Sequence, residues 1–202
     1  MDEDNGIRSI NHFYDPIYNR TWKIGGLESL VPEVTSKIWV NDQLRQASYD
    51  PVFLASIQFQ TKSCLESSAN HTYNRALYEY IKGNKKEAFY ALGHVLHLLQ
   101  DLTSVPHTRA DVHITGNDPS SYEIMSAFKT KNDFVNIFNK LKDNSIIKRN
   151  NIDSYFYNVA LYTNNHFYSD DTIMSNEYRK PEIFQKSAVD LTLGNDKYYV
   201  LG

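Results

Sequence analysis

The run KKEAFYALGHVLHLLQDLTS over residues 85–104 constrains this chain more than any other feature. Ala88, Leu92, Val95, Leu96 and Leu99 recur at helical spacing and form a broad apolar face, which a helix can bury on one side and an alternating strand cannot. Gly83-Asn84 supplies a stop and turn ahead of it. Pro106 ends it, because proline has no N–H to donate and its ring clashes with the preceding turn.

Helical spacing recurs over 52–81, where the polar stretch 67–70 divides it into two helices or breaks one, and again over 122–141 and 152–162. Pro181 opens a last expected helix that Gly194-Asn195 closes. Residues 1–32, interrupted by Pro16 and Gly25-Gly26, read as loop with at most short helices, and 108–119 reads as a polar loop. Long, strongly alternating segments are missing, so the expected fold class is all-α, a compact multi-helix domain. With 202 residues, 41% of them hydrophobic, the chain can bury one good core, and a single domain over 1–202 is expected.

The net charge of -3 gives no bulk attraction to nucleic acid or to an anionic membrane, although a local basic surface is still allowed. A lone cysteine, Cys64, excludes an intrachain disulfide framework. The opening MDEDNG is acidic where a signal peptide would be basic and then apolar, so no export signal is expected in this chain. No apolar run nears the roughly 18 residues of a membrane span, and no transmembrane segment is expected.

Chemistry concentrates at the end of the central run. His97 and Asp101 stand four apart, on one helix face and within reach of one ion, and His107 follows just beyond Pro106. Two imidazoles and a carboxylate suit zinc, which accepts nitrogen and oxygen ligands. The plainer reading is a hydrogen-bonded His–Asp pair. Two features favour the metal: His94, His97 and Asp101 interrupt an otherwise apolar run, where unpaired polar groups are costly, and His107, Asp111, His113, Asp118 and Glu123 crowd within 17 residues.

The run AFYALGHVLHLLQDLTSVPH, together with NHFYDP at 11–16 and a later Tyr-Glu pair, resembles the zinc-dependent phospholipase C family, which shares its helical fold with single-strand-specific zinc nucleases. The resemblance spans about 4–141 and leaves 142–202 as an unassigned helical extension. It implies a zinc cluster that hydrolyses phosphate esters. By the same resemblance His12 is a zinc ligand, Asp4 shares its ion, His97 and Asp101 are the helix ligands with Asp101 bridging two ions, and His107 and Glu123 hold the remaining zinc. A family histidine four residues before that glutamate is Pro119 here; His113 either stands in for it or is an exposed loop residue, with Asp111 and Asp118 as further candidates. The family's N-terminal tryptophan and an early histidine have no counterpart, since Trp22 and Trp39 both follow His12 and read as core or surface aromatics. Two or three zinc ions are therefore expected, with an upstream segment removed or one ion site lost. A secreted or periplasmic location is expected from the resemblance alone.

The implied mechanism is attack on phosphorus by a metal-activated water, with Asp4 as the catalytic residue that orients the water or accepts its proton. Arg109 either steadies a phosphate oxygen or is a surface charge. Phospholipid or another phosphate ester is the expected substrate, with transient contact at a membrane surface. The family's choline-pocket aromatics fall near Ser9 and Asn5 here, which makes choline specificity doubtful. A single-strand nuclease, with nucleic acid as its substrate, is the alternative; a non-catalytic zinc-stabilised binding module is the reading from another class. Among the other histidines, His94 reads as packing or a hydrogen bond to a ligand, His71 as surface and His166 as a helix terminus. Cys64 reads as core, and the 15 tyrosines as surface and cleft aromatics.

Overall fold

The computed structural model describes residues 11–22, 34–41, 71–111, 148–167, 169, 172 and 175–179, a few positions between 132 and 139, and the backbone of four short strands. Its helices are α1 (Ser36–Asn41), α2 (Tyr73–Ile81), α3 (Lys85–Asp101), α4 (Val105–Thr108) and α5 (Ile152–His166). The described body is mostly helical, as the periodicity predicts.

Helix α3 is the run that dominates the sequence. Its buried residues Ala88, Ala91, His94, Val95 and Leu98 fall at three- and four-residue steps along one side. Glu87 sits in its first turn, where a negative charge meets the positive end of the helix dipole. Helix α2 runs back against it across a tight turn at Gly83, whose φ of 84° lies in the left-handed region that glycine enters without steric cost. The N-terminus of α2 is capped by Thr72, whose side-chain oxygen accepts from the Arg75 N–H. At the other end α3 stops at Asp101, three residues short of the expected limit, and the chain turns through Leu102 and Ser104. Pro106 then opens α4, where its missing N–H is no loss.

The core gathers Trp39 and Val40 of α1, Val95 and Leu98 of α3, Leu102 just beyond it, Phe156 and Ala160 of α5, and Tyr14 and Val34 from the intervening chain. Helix α5, capped by Asn151 through the Ser154 N–H, thus brings residues after 141 into the same cluster as the central helix. Every residue from Asn11 to Pro16 is buried. Backbone bonds strap this stretch down: Tyr14 N–H donates to the His107 carbonyl at 2.8 Å, and Ser36 N–H donates to that of Phe13 at 3.1 Å.

Two predicted helices are corrected. β1 (Gln46–Tyr49) pairs antiparallel with β2 (Ile57–Gln60), so within the stretch 52–81 where helix is expected, Ile57–Gln60 is a strand and Tyr73–Ile81 a helix. β3 (Val189–Leu193) pairs antiparallel with β4 (Asp196–Val200), Leu193 facing Asp196 across the two residues Gly194-Asn195. The sequence VDLTL alternates apolar and polar, which is the period of a strand, and Gly-Asn between it and the Tyr-Tyr-Val of the next strand is a hairpin signal rather than a helix stop. Of the helix expected over 122–141, only Asn132, Asp133, Val135, Asn136 and Asn139 are described, each helical.

Candidate metal centre

Three side chains from two distant parts of the chain converge at the C-terminal end of α3. His12 Nδ1 donates to Asp101 Oδ2 at 2.6 Å, although the two are 89 residues apart in sequence. His97 Nε2 approaches the same oxygen at 3.3 Å from one turn earlier on the helix. Ligand atoms from His12, His97 and Asp101 all lie within 4.8 Å of one another, so this His-His-Asp group could hold a metal ion. The His12 side chain is 9% exposed, Asp101 17% and His97 38%, so the group opens to solvent on the His97 side.

Local structure explains the convergence. The helix repeat places His97 and Asp101 on one face, and the strap at Phe13 and Tyr14 holds His12 over that face. The His12 ring is further fixed by Trp39, 5.8 Å away between centroids, and by the edge of His97 at 5.1 Å. Burial pushes the Asp101 carboxyl upward, but the hydrogen bond from His12 and the fields of His107, His12 and His97 outweigh it and hold the group below the ordinary carboxylate value. It is the anionic centre of the group.

His107 stands beside these three rather than among them. It is buried on α4, with its ring stacked on Phe13 at 4.6 Å and 6.5 Å from the His12 ring. Asp111 is also buried, its N–H bonded to the Pro106 carbonyl at 3.1 Å. Asp4, His113, Asp118, Pro119 and Glu123 lie outside the described residues, as does Cys64. His94 packs edge-on against Trp39 at 4.7 Å, and His71 packs edge-on against Tyr90. His166 ends α5, its Nδ1 donating to the Tyr162 carbonyl at 2.7 Å.

Arg109 requires a correction to both of its expected roles. It is only 2% exposed, so it is no surface charge. Its guanidinium donates to the carbonyls of Asn164 at 2.6 Å and Arg179 at 3.2 Å and to the Thr172 hydroxyl, and it lies over the Tyr178 ring. This cation ties α4 to α5 and to the chain beyond it.

Tyr14 and Tyr178 are buried as well, so the tyrosines are not all surface or cleft residues. The Tyr178 hydroxyl lies 2.8 Å from Asp15 Oδ2 and 2.7 Å from the Arg109 carbonyl, and it accepts from Arg20 at 2.9 Å. Asp15, fully buried, also accepts the N–H groups of Ile17 and Tyr18, the turn that an Asp-Pro pair favours. That turn carried a sequence signal; its partner 163 residues away carried none.

No protein-family model matches this chain, and no curated protein or solved structure is detectably similar to it.

Proposed function

We propose that this protein is a zinc-dependent phosphoesterase, phospholipase C-like, acting on phospholipid head groups. The observation that carries the reading is the approach of His12 to Asp101 and His97 across 89 residues of sequence. A His–Asp pair four apart on a helix is common; a third ligand-type side chain delivered to the same carboxylate oxygen by a separate, strapped segment is not needed to stabilise that pair.

The donor set fits zinc: two imidazole nitrogens and one carboxylate are a ligand composition that catalytic zinc sites use, with a further position left for water or substrate. His12, His97 and Asp101 would hold the ion. When bound, zinc supplies Lewis-acid stabilisation of phosphate oxygens and a lowered pKa for an attacking water. Asp101, kept ionised by its three histidine neighbours, supplies the negative charge that a divalent cation needs. The exposed edge of His97 marks the side from which a phosphate ester can approach. Trp39 packs against His12, and Phe13 stacks on the neighbouring His107, on the buried side of the group. Asp4 is the expected proton acceptor, and His107 and Glu123 the expected ligands of a further ion.

The test is elemental analysis of protein purified without chelators, alongside Asp101→Ala and His12→Ala, followed by hydrolysis assays on phospholipid and on single-stranded DNA. At least one zinc per chain, lost in both variants, with phospholipid cleavage that is lost in parallel, is the expected result. Cleavage of DNA alone would replace the substrate with nucleic acid. Tight zinc with neither activity would leave a zinc-stabilised binding module, and no zinc even after adding it back would end the hydrolase reading.

A further inference from the structure

The turn between α2 and α3 carries an apolar surface that the core does not use. Ile81 is 83% exposed, and Leu77, Tyr80 and Phe89 are exposed beside it, with Tyr80 and Phe89 in edge-on ring contact across the two helices. Leu77, Tyr80 and Ile81 follow the three- and four-residue steps of one face of α2. The neighbouring face of α3 continues it: Leu96 lies two turns beyond Phe89, also exposed, and directly precedes His97. Single exposed apolar residues are ordinary, whereas a contiguous group of this kind marks a surface that meets something.

Charge identifies what it meets. Lys82, Lys85 and Lys86 lie at the turn between the two helices and are all exposed, Lys82 Nζ standing over the Tyr78 ring at 4.2 Å. The nearest carboxylate on α2, Glu79, is turned inward and committed to Arg75 at 2.5 Å and to the Asn84 side chain at 2.7 Å, so it does not neutralise them. Among the described residues of the turn, Glu87 offsets one of the three charges, on a chain whose total is -3. Exposed Ile, Tyr and Phe beside exposed lysines at a turn between helices form the pattern of a surface that settles at a bilayer interface, apolar groups in the acyl boundary and ammonium groups at anionic heads.

We propose that the α2–α3 tip docks this protein on an anionic lipid bilayer. The stripe from Ile81 through Phe89 to Leu96 then lies along the surface, and the His97 end of α3 is held close to it. The surface is separate from the metal ligands, and its docking stands or falls independently of zinc.

Sedimentation with vesicles of phosphatidylcholine containing roughly one-third phosphatidylserine, against pure phosphatidylcholine vesicles, tests this. Binding to the anionic vesicles is expected, weakening as salt rises. Replacing Lys82, Lys85 and Lys86 together with glutamine should weaken it about a hundredfold, at roughly fivefold per lysine. Ile81→Asp should weaken it at least tenfold with zinc content and melting temperature unchanged, since the residue touches solvent in the folded state. Asp101→Ala should still bind vesicles, which separates docking from capture of head groups at the metal centre. Absence of binding by the intact protein, or binding indifferent to both tip variants, overturns the proposal. Self-association abolished by Ile81→Asp would also overturn it, because a second copy would then cover this face.

Discussion

Replacing Tyr178 with phenylalanine removes one oxygen and little else, which makes it a clean probe of how the chain is held around the candidate centre. The ring keeps its place over the Arg109 guanidinium and against Tyr18, so no cavity of consequence opens. What goes is the hydroxyl that meets Asp15, Arg109 and Arg20 within 2.7 to 2.9 Å. Asp15 retains the Ile17 and Tyr18 N–H groups and Arg20 Nε, so its charge is not stranded. The charge-assisted bond accepted from Arg20, about 1.5–3 kcal/mol, is lost, together with the one bond the hydroxyl proton makes, to Asp15 or to the Arg109 carbonyl, at about 1 kcal/mol. A total near 3 kcal/mol predicts a fall in melting temperature of about 6–12 °C for a domain of this size. Thermal and denaturant unfolding of metal-free protein measures it, with Tyr18→Phe as control, because among the described residues the Tyr18 hydroxyl makes one exposed bond, to the Glu177 carbonyl. A loss below about 0.5 kcal/mol for Tyr178→Phe, or equal losses for both variants, would refute the claim that this hydroxyl clasps the Asn11–Pro16 stretch to the end of the helical body.

The Tyr14 phenol, pushed up to about 12 by burial and then by Tyr157, Asp15 and Asp153, keeps its proton in the folded state after the unfolded chain has lost it near pH 10. Its contribution is therefore whole below pH 10 and lost as pH rises to about 12, and Tyr14→Phe should flatten that part of the stability profile by on the order of 2 kcal/mol. Asp101 works in the opposite direction: its depressed value contributes stability above the ordinary 3.8 that disappears as the pH falls through the folded value. Metal-free Asp101→Asn should accordingly show a shallower acid limb in circular dichroism, and an unchanged limb would mean that His12 does not hold the charge. Ala110 has a φ of 51°, so Ala110→Gly should relieve left-handed strain and stabilise by up to about 1 kcal/mol after glycine's extra chain entropy. Destabilisation by more than that would show that the alanine methyl packs usefully.

The central helix and the His97–Asp101 face were legible because they depend on residues within one or two turns of each other, whereas the expected stop at Pro106 was misplaced: the helix ends at Asp101 and Pro106 opens α4. The same locality made helix readable over 152–162, which the structure extends to His166, and over 52–81, where the structure has one at Tyr73–Ile81. The strand at Val189–Leu193 was also legible in its alternation, and was missed because Pro181 and Gly194 resemble helix punctuation as closely as they do the edges of a hairpin. That His12 is a candidate ligand came from resemblance, not from spacing, since nothing local to residue 12 specifies which carboxylate it will meet.

Sequence alone determined the elements whose periodicity is local: a long amphipathic helix and two ligand-type side chains on one of its faces. Tertiary structure decided which distant groups share a site. It brought His12 to Asp101, turned Arg109 from an expected surface or phosphate-binding cation into a buried tie between α4 and α5, and set Tyr178 against Asp15. The physical reason is that side-chain periodicity is set by backbone geometry over a few residues, whereas these contacts exist only once a shared apolar core has brought segments up to 163 residues apart into register.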